Sequence, residues 1–128
     1  MLRSLTLIVA LLALAISGAN ASEVILKTDG NGNGRTISFE TEGPWLLAWR
    51  VNSNFRSQSG FELNLINADT GFFDSRILLM RGRGGNGLKL FENRGRFQFE
   101  VVSNFADWYL TVEQLTEEEA EAYRATAN

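Results

Sequence analysis

FELNLINADTGFFDSRILLM, residues 61–80, is the stretch that decides the class of fold. Phe61, Leu63 and Leu65 alternate with Glu62 and Asn64, a period of two that puts the apolar side chains on one face of an extended strand. Asn67-Ala68-Asp69-Thr70-Gly71 then reads as a type I turn closed by a glycine in the left-handed region. Phe72 to Met80 returns as a second, longer strand. Two strands joined by so short a turn pair antiparallel.

The same alternation extends outward in both directions. Upstream, Glu23 to Thr28 reads as a first strand, and Asp29 to Gly34 (DGNGNG) as a turn or loop, since every residue is Asp, Asn or Gly. Arg35 to Glu42 follows as a strand with Ile37 and Phe39 on one face. Beyond Gly43-Pro44, Trp45, Leu47, Trp49 and Val51 share the face of another, and residues 52–60 are polar and loop-like. Downstream, Arg81 to Gly87 (RGRGGNG) reads as a glycine-rich loop, Leu88 to Phe91 as a short strand and Asn93-Arg94-Gly95 as a turn. Phe97, Phe99 and Val101, then Trp108, Leu110 and Val112, mark the inward positions of the last two strands. The pattern predicts an all-β domain, an antiparallel β-sandwich, jelly-roll-like, of about eight short strands.

Both ends of the chain depart from this pattern. Arg3 precedes an apolar run from Leu5 to Ile16 broken only by Thr6, and Ala19-Asn20-Ala21 is a small-x-small cleavage site. Residues 1–21 therefore read as a signal peptide, too short in its apolar part to span a membrane, and the mature chain is expected in the periplasm or secreted. Residues 22–115 form the sandwich domain, with no membrane span, and residues 116–128 a short C-terminal helix and tail. Thr116-Glu117-Glu118-Glu119 is a capping box, with Thr116 as N-cap and Glu119 reaching back. A helix this short docks, through Leu115 and Tyr123, or frays.

Composition narrows the chemistry. The chain has no histidine and no cysteine, which removes Ser-His-Asp and Cys-His nucleophiles, the usual zinc hydrolase sites, disulfides and thiol redox chemistry. The net charge is −3, and loss of residues 1–21 removes one further cation, Arg3. A general nucleic-acid binder is not expected from an acidic domain. Nine Phe and three Trp supply a core without staples. Trp45, Trp49 and Trp108 could form a sugar platform, but they sit among apolar positions of their strands and are read as core. Tyr109 and one of Phe72 and Phe73 are the expected exposed aromatics.

Three candidate sites remain. Asp29-x-Asn31-x-Asn33-Gly34, followed by Glu40, matches a calcium-loop pattern. In that pattern helices flank the loop, whereas here both flanks read as strands, and an extended chain carries Glu40 about 20 Å from Gly34. Asp29, Asn31 and Asn33 stay as the calcium candidates beside a plain glycine-rich turn. No other cofactor is indicated. Arg81 and Arg83 in RGRGGNG, with Arg76 nearby, are the anion candidates, since glycine-rich turns expose backbone amides and guanidinium groups bind anions. Glu40, Glu62 and Glu100 could serve a carboxylate-only glycan hydrolase only if two of them met in one cleft.

The loop-strand-GPWLLAW run up to Trp49 is similar to the opening of small secreted bacterial β-sandwich domains. Gly95-x-Phe97-x-Phe99-x-Val101 with Trp108-x-Leu110-x-Val112 resembles the closing strands of bacterial prepeptidase C-terminal domains and CUB-like sandwiches. FELNLINADTGF stands where the prepeptidase family carries Asp-rich strand motifs. The resemblance implies a sandwich with a non-catalytic accessory role, and it transfers no site residues. The expectation is an exported, non-catalytic binding or interaction module, its partner an envelope protein, a polysaccharide or a small anion. The alternatives are a calcium-stabilised structural module and a carboxylate-only glycan hydrolase.

Overall fold

In the computed structural model the turn at the heart of residues 61–80 forms as expected. Asn67 Oδ1 accepts the backbone N–H groups of Asp69 (2.9 Å) and Thr70 (3.2 Å). Gly71, at φ 78°, donates its N–H to the Asn67 carbonyl at 2.7 Å. The structure describes residues 22–53 and 59–127; the expected signal peptide at 1–21 and residues 54–58 of the polar loop lie outside them.

Nine strands and one helix are present among the described residues: β1 (Glu23–Asn31), β2 (Gly34–Arg35), β3 (Phe39–Thr41), β4 (Trp45–Asn52), β5 (Gly60–Asn67), β6 (Phe73–Arg81), β7 (Gly84–Phe91), β8 (Gly95–Asn104), β9 (Asp107–Gln114) and α1 (Glu117–Ala127). They build two antiparallel sheets, β1-β9-β4-β7 and β2-β8-β5-β6, with β3 also on β8. Apart from β2–β3 and the β5–β6 hairpin, each connection passes from one sheet to the other. That alternation is the jelly-roll arrangement of a β-sandwich.

The expected strand at Arg35–Glu42 is two strands, and the reason lies in Thr36. Arg35 stands opposite Glu100 and Phe39 opposite Phe97, so four steps on one side face three on the other. The extra residue is a bulge. Thr36 is buried there, its hydroxyl accepting the Phe99 N–H at 3.1 Å while its own N–H goes to the Phe99 carbonyl. Ile37 is consequently thrown outward, 74% exposed, and does not share the inner face with Phe39.

The inner faces hold Leu26, Leu47, Val51, Leu110 and Val112 from the first sheet, and Phe61, Leu63, Leu65, Phe99 and Val101 from the second. At one end the core is aromatic. Trp45 is fully buried, stacked on Phe91 with centroids 4.1 Å apart and meeting Phe39 edge-on at 5.3 Å. Its indole N–H reaches the Asn93 carbonyl at 3.0 Å, so the ring is buried without an orphan donor.

The helix closes the same end, and the capping box is reciprocal. Thr116 N–H reaches Glu119 Oε1 at 2.9 Å, and Glu119 N–H reaches Thr116 Oγ1 at 3.2 Å. Ala120 and Leu115 are buried against Leu46, with Leu90 and Tyr123 at the margin. This explains why β4 is apolar on both faces at its start, since Leu46 lies under α1 while Trp45 and Leu47 face the core. Arg124 joins α1 to the β7–β8 turn through two hydrogen bonds to Glu92, at 2.6 and 2.7 Å, and it also binds Glu117 and Glu121. The carboxylates raise the Arg124 pKa above its ordinary value, while the hydrogen bond from Arg124 lowers that of Glu92. No helix among the described residues is long and apolar enough to cross a membrane.

Two of the sheet edges are guarded. On edge strand β6, Ile77 and Asp74 fall at register shifts, and on edge strand β7, Lys89 faces Leu47 on the core side with its ammonium 5.6 Å from the Phe91 ring. Bulges and inward-pointing charges are devices that stop edge strands from pairing with other chains.

Candidate functional site

Four connections converge at the end of the sandwich opposite the helix: β1–β2, β4–β5, β6–β7 and β8–β9. Hydrogen bonds tie them together. Ser53 N–H reaches the Arg83 carbonyl at 2.9 Å, and Ser53 Oγ reaches the Phe105 carbonyl at 2.6 Å. Asn33 Oδ1 accepts the Ser103 N–H at 2.8 Å, and the Trp108 indole donates to the Gly32 carbonyl at 2.9 Å. Ser59 Oγ donates to the Gly82 carbonyl. Loops at the end of a rigid sandwich are where such folds carry binding groups.

Two clefts open here. The first, of about 460 Å³, is walled by Asn31, Asn52, Ser103, Asn104, Phe105 and Asp107. Asp107 stands opposite Asn31 on one side and Asn52 on the other, so the ladder register sets these three side chains in one row across β1, β9 and β4. Phe105 is the one non-glycine residue at positive φ (58°) among the described residues, and its ring is 53% exposed. A bulky residue in this backbone region costs about 1–2 kcal/mol. The second cleft, of about 400 Å³, lies on the outer face of the other sheet, with Leu79 and Val102 as its apolar floor and Glu62 and Arg81 at its sides. Ser103 and Asn104 line both clefts.

Next to the first cleft, the outer face of β1-β9-β4-β7 carries the row Asp29, Tyr109, Arg50 and Asn86. The Arg50 guanidinium lies over the Tyr109 ring, 4.2 Å from its centroid.

The glycine-rich motifs have a different use from the one their sequence suggests. Asp29 and Asn31 lie inside β1, paired with Tyr109 and Asp107, and Asn33 Oδ1 is engaged by Ser103. The three calcium candidates are therefore not gathered as ligands of one loop. Gly30, between them, faces Trp108, and a Cβ there would lie 2.5 Å from the indole ring. RGRGGNG is likewise mostly strand, because β7 begins at Gly84. Gly87 sits opposite Trp49, where a Cβ would lie 2.8 Å from that ring. Each run of glycines lets a tryptophan lie flat on a neighbouring edge strand. Trp45 and Trp108 are buried and Trp49 packs partly buried against the core, in line with the reading of all three as core residues.

The anion candidates also separate. Arg81 and Arg83 belong to the loop end. Arg76 lies five residues back along β6, about 16 Å at the strand rise, in register with Asn64. Among the acids, Glu40 on β3 is opposite Arg96 on β8, and Glu100 pairs with Arg35 at 3.1 Å. Asn64 Nδ2 donates to both Glu62 (2.8 Å) and Glu100 (3.4 Å), yet Glu62 lines the second cleft and Glu100 lines neither. Phe72 and Phe73 are both exposed, at 74% and 61%, correcting the expectation that one would turn inward. Phe72 precedes the strand and Phe73 points out from an edge, so strand alternation does not bind the two.

Sequence reading missed Phe105, Asn52, Asn104 and Asp107. The only trace of them was the alternation Phe105-x-Asp107-x-Tyr109 along FADWY.

No family model matches the chain, and no curated protein is similar to it. Among solved structures, it is similar to the carbohydrate-binding module CBM6cm-2 of lichenase 5A from Cellvibrio mixtus, in complex with cellotriose. That match has 13% identity over 75% of this chain and 87% of that one, with a TM-score of 0.42. The CBM22-1-GH10 modules of xylanase 10B from Clostridium thermocellum, complexed with xylohexaose, match at 10% identity over 73% of this chain and 25% of that one, TM-score 0.42. The C-terminal CBM6 of the laminarinase LamC from Zobellia galactanivorans matches at 13% identity over 71% and 74%, TM-score 0.35. The likeness to prepeptidase C-terminal and CUB-like domains is not shown by these comparisons.

Proposed function

We propose that this chain is a non-catalytic binding module that holds a carbohydrate at the loop end of its sandwich. The observation that carries the reading is the first cleft, where planar amides and a carboxylate face an aromatic ring held out by a strained backbone. Amide and carboxylate groups exchange hydrogen bonds with hydroxyls, and an exposed ring packs on the C–H face of a sugar. The absence of histidine and cysteine supports a role without chemistry, as does the use of Glu62 and Glu100 to hold Asn64. With the leader expected at residues 1–21, the module acts in the periplasm or outside the cell.

Phe105→Gly tests the reading. Glycine accepts φ 58° at no steric cost, so the variant is expected to fold. Its retention by soluble polysaccharides in affinity electrophoresis is expected to fall at least about tenfold, the loss of one aromatic hot spot. Unchanged retention in a folded variant would remove the first cleft from the site.

A further inference from the structure

Each sheet has two edges, and they differ in how open they are. β6 and β7 carry the guards described above, and the β2–β3 edge is two short strands interrupted at Thr36. β1 is different. It runs for nine residues, and β9 is its one strand partner among the described residues. Its bulge falls early, between Val24 and Leu26, and every residue from Leu26 to Asn31 keeps register with β9. Over this stretch, no backbone hydrogen bond leads from β1 to any element but β9 among the described residues. Backbone groups left open along a regular edge are a template for another strand.

The side chains select that strand. Leu26, Thr28 and Gly30 turn inward, while Lys27, Asp29 and Asn31 are exposed on the outer face. Lys27 and Asp29 belong to none of the ion pairs among the described residues. A second β1 can be laid antiparallel beside the first with a two-fold axis at Thr28. Lys27 of each copy then stands opposite Asp29 of the other, so the pair of charges is made twice. Opposite charges directly across an antiparallel pair stabilise it, and like charges weaken it. Moving the axis one residue either way would set Lys27 against Lys27, or Asp29 against Asp29. An axis between residues would oppose an inward side chain to an outward one, which the pleat does not allow.

We infer that the protein pairs with a second copy of itself through β1, antiparallel about Thr28, joining the two four-stranded sheets into one. The open edge and its self-complementary charges carry this inference, independently of the carbohydrate reading. The two loop ends lie at opposite ends of the shared sheet, because β1 reaches the loop end at Asn31 in each copy.

The test is sedimentation velocity of the purified protein over a concentration series, with Lys27→Asp, Asp29→Lys and the double exchange. Both side chains are exposed and outside the ion pairs, so the variants are expected to fold, and melting curves check this. The wild type is expected to reach twice the monomer mass. Each single reversal sets like charges opposite each other twice and should raise the dimer dissociation constant at least about tenfold. The double exchange should restore pairing. So should an equimolar mixture of the two single variants, in which the new aspartate of one faces the new lysine of the other. Hydrogen exchange supplies a measure that needs no variant: amides within residues 26–31 should gain protection as the concentration rises. A monomer at every concentration up to the millimolar range would overturn the inference. So would a dimer indifferent to the reversals, a loss that neither the mixture nor the double exchange restores, or no concentration-dependent protection along β1.

Discussion

The two ends of the sandwich are built on opposite terms. At the helix end, Trp45 stacks on Phe91 and meets Phe39 edge-on, Phe97 is tilted against Phe39, and α1 lies over Leu46. At the loop end the connections are joined by hydrogen bonds among serines, asparagines and backbone, two clefts stay open, and Phe105 sits in an unfavourable backbone region. On the proposed reading, the difference gives stability to one end and recognition to the other. A sealed aromatic end can carry the strain and the open polar surface that a binding end needs.

Breaking the sealed end should have the largest effect. Trp45→Ala removes a fully buried ring that touches four other aromatics, and it is expected to cost about 3–5 kcal/mol in denaturant unfolding. Phe105→Gly at the other end is expected to cost much less, since glycine takes φ 58° without strain. Equal losses at the two positions would erase the distinction between the ends.

The tryptophan seats sharpen the comparison at smaller scale. Gly30→Ala drives a Cβ to 2.5 Å from Trp108 and is expected to destabilise by about 1–3 kcal/mol. Gly34→Ala, in the same motif but with nothing within 4 Å and no positive φ, is expected to change stability by less than about 0.5 kcal/mol. Thermal melts of the pair decide whether the glycines of DGNGNG serve packing or turn formation.

Thr116→Ala breaks one half of the capping box, for an expected loss of about 1 kcal/mol read by thermal unfolding. The smallest effect belongs to Glu92. Its pKa is lowered from 4.5 by Arg124, so its contribution is present above that pH and is lost as the pH falls below it towards the folded-state value. Proteolysis of the C-terminal segment should accelerate as the pH drops through that range. In Glu92→Gln it should start faster at neutral pH and change less with acid. An identical pH response in the two proteins would separate the ion pair from helix docking.

Much of the architecture could be read along the chain. The turn at Asn67–Gly71 was legible because a local side chain makes it, with Asn67 capping two N–H groups. The capping box at Thr116 was legible for the same reason. Thr36 was not, since its burial depends on its hydroxyl standing in for a backbone carbonyl as acceptor of the Phe99 N–H on β8, sixty-three residues away. DGNGNG and RGRGGNG were misleading because glycine signals only that a side chain is missing. Whether that absence makes a turn, an ion site or room for a ring depends on which residue stands opposite.

What the amino-acid sequence determined by itself is the part of the molecule governed by local periodicity: strands with one apolar face, the hairpin, the capped helix and the absence of histidine and cysteine chemistry. Only the tertiary structure decided the candidate site. Asn31, Asn52, Ser103 and Asp107 come from four strands, and cross-strand register, a long-range property, brings them to one cleft. Burial leaves its period in the chain because each strand must satisfy it residue by residue, whereas a binding surface assembled across strands leaves none.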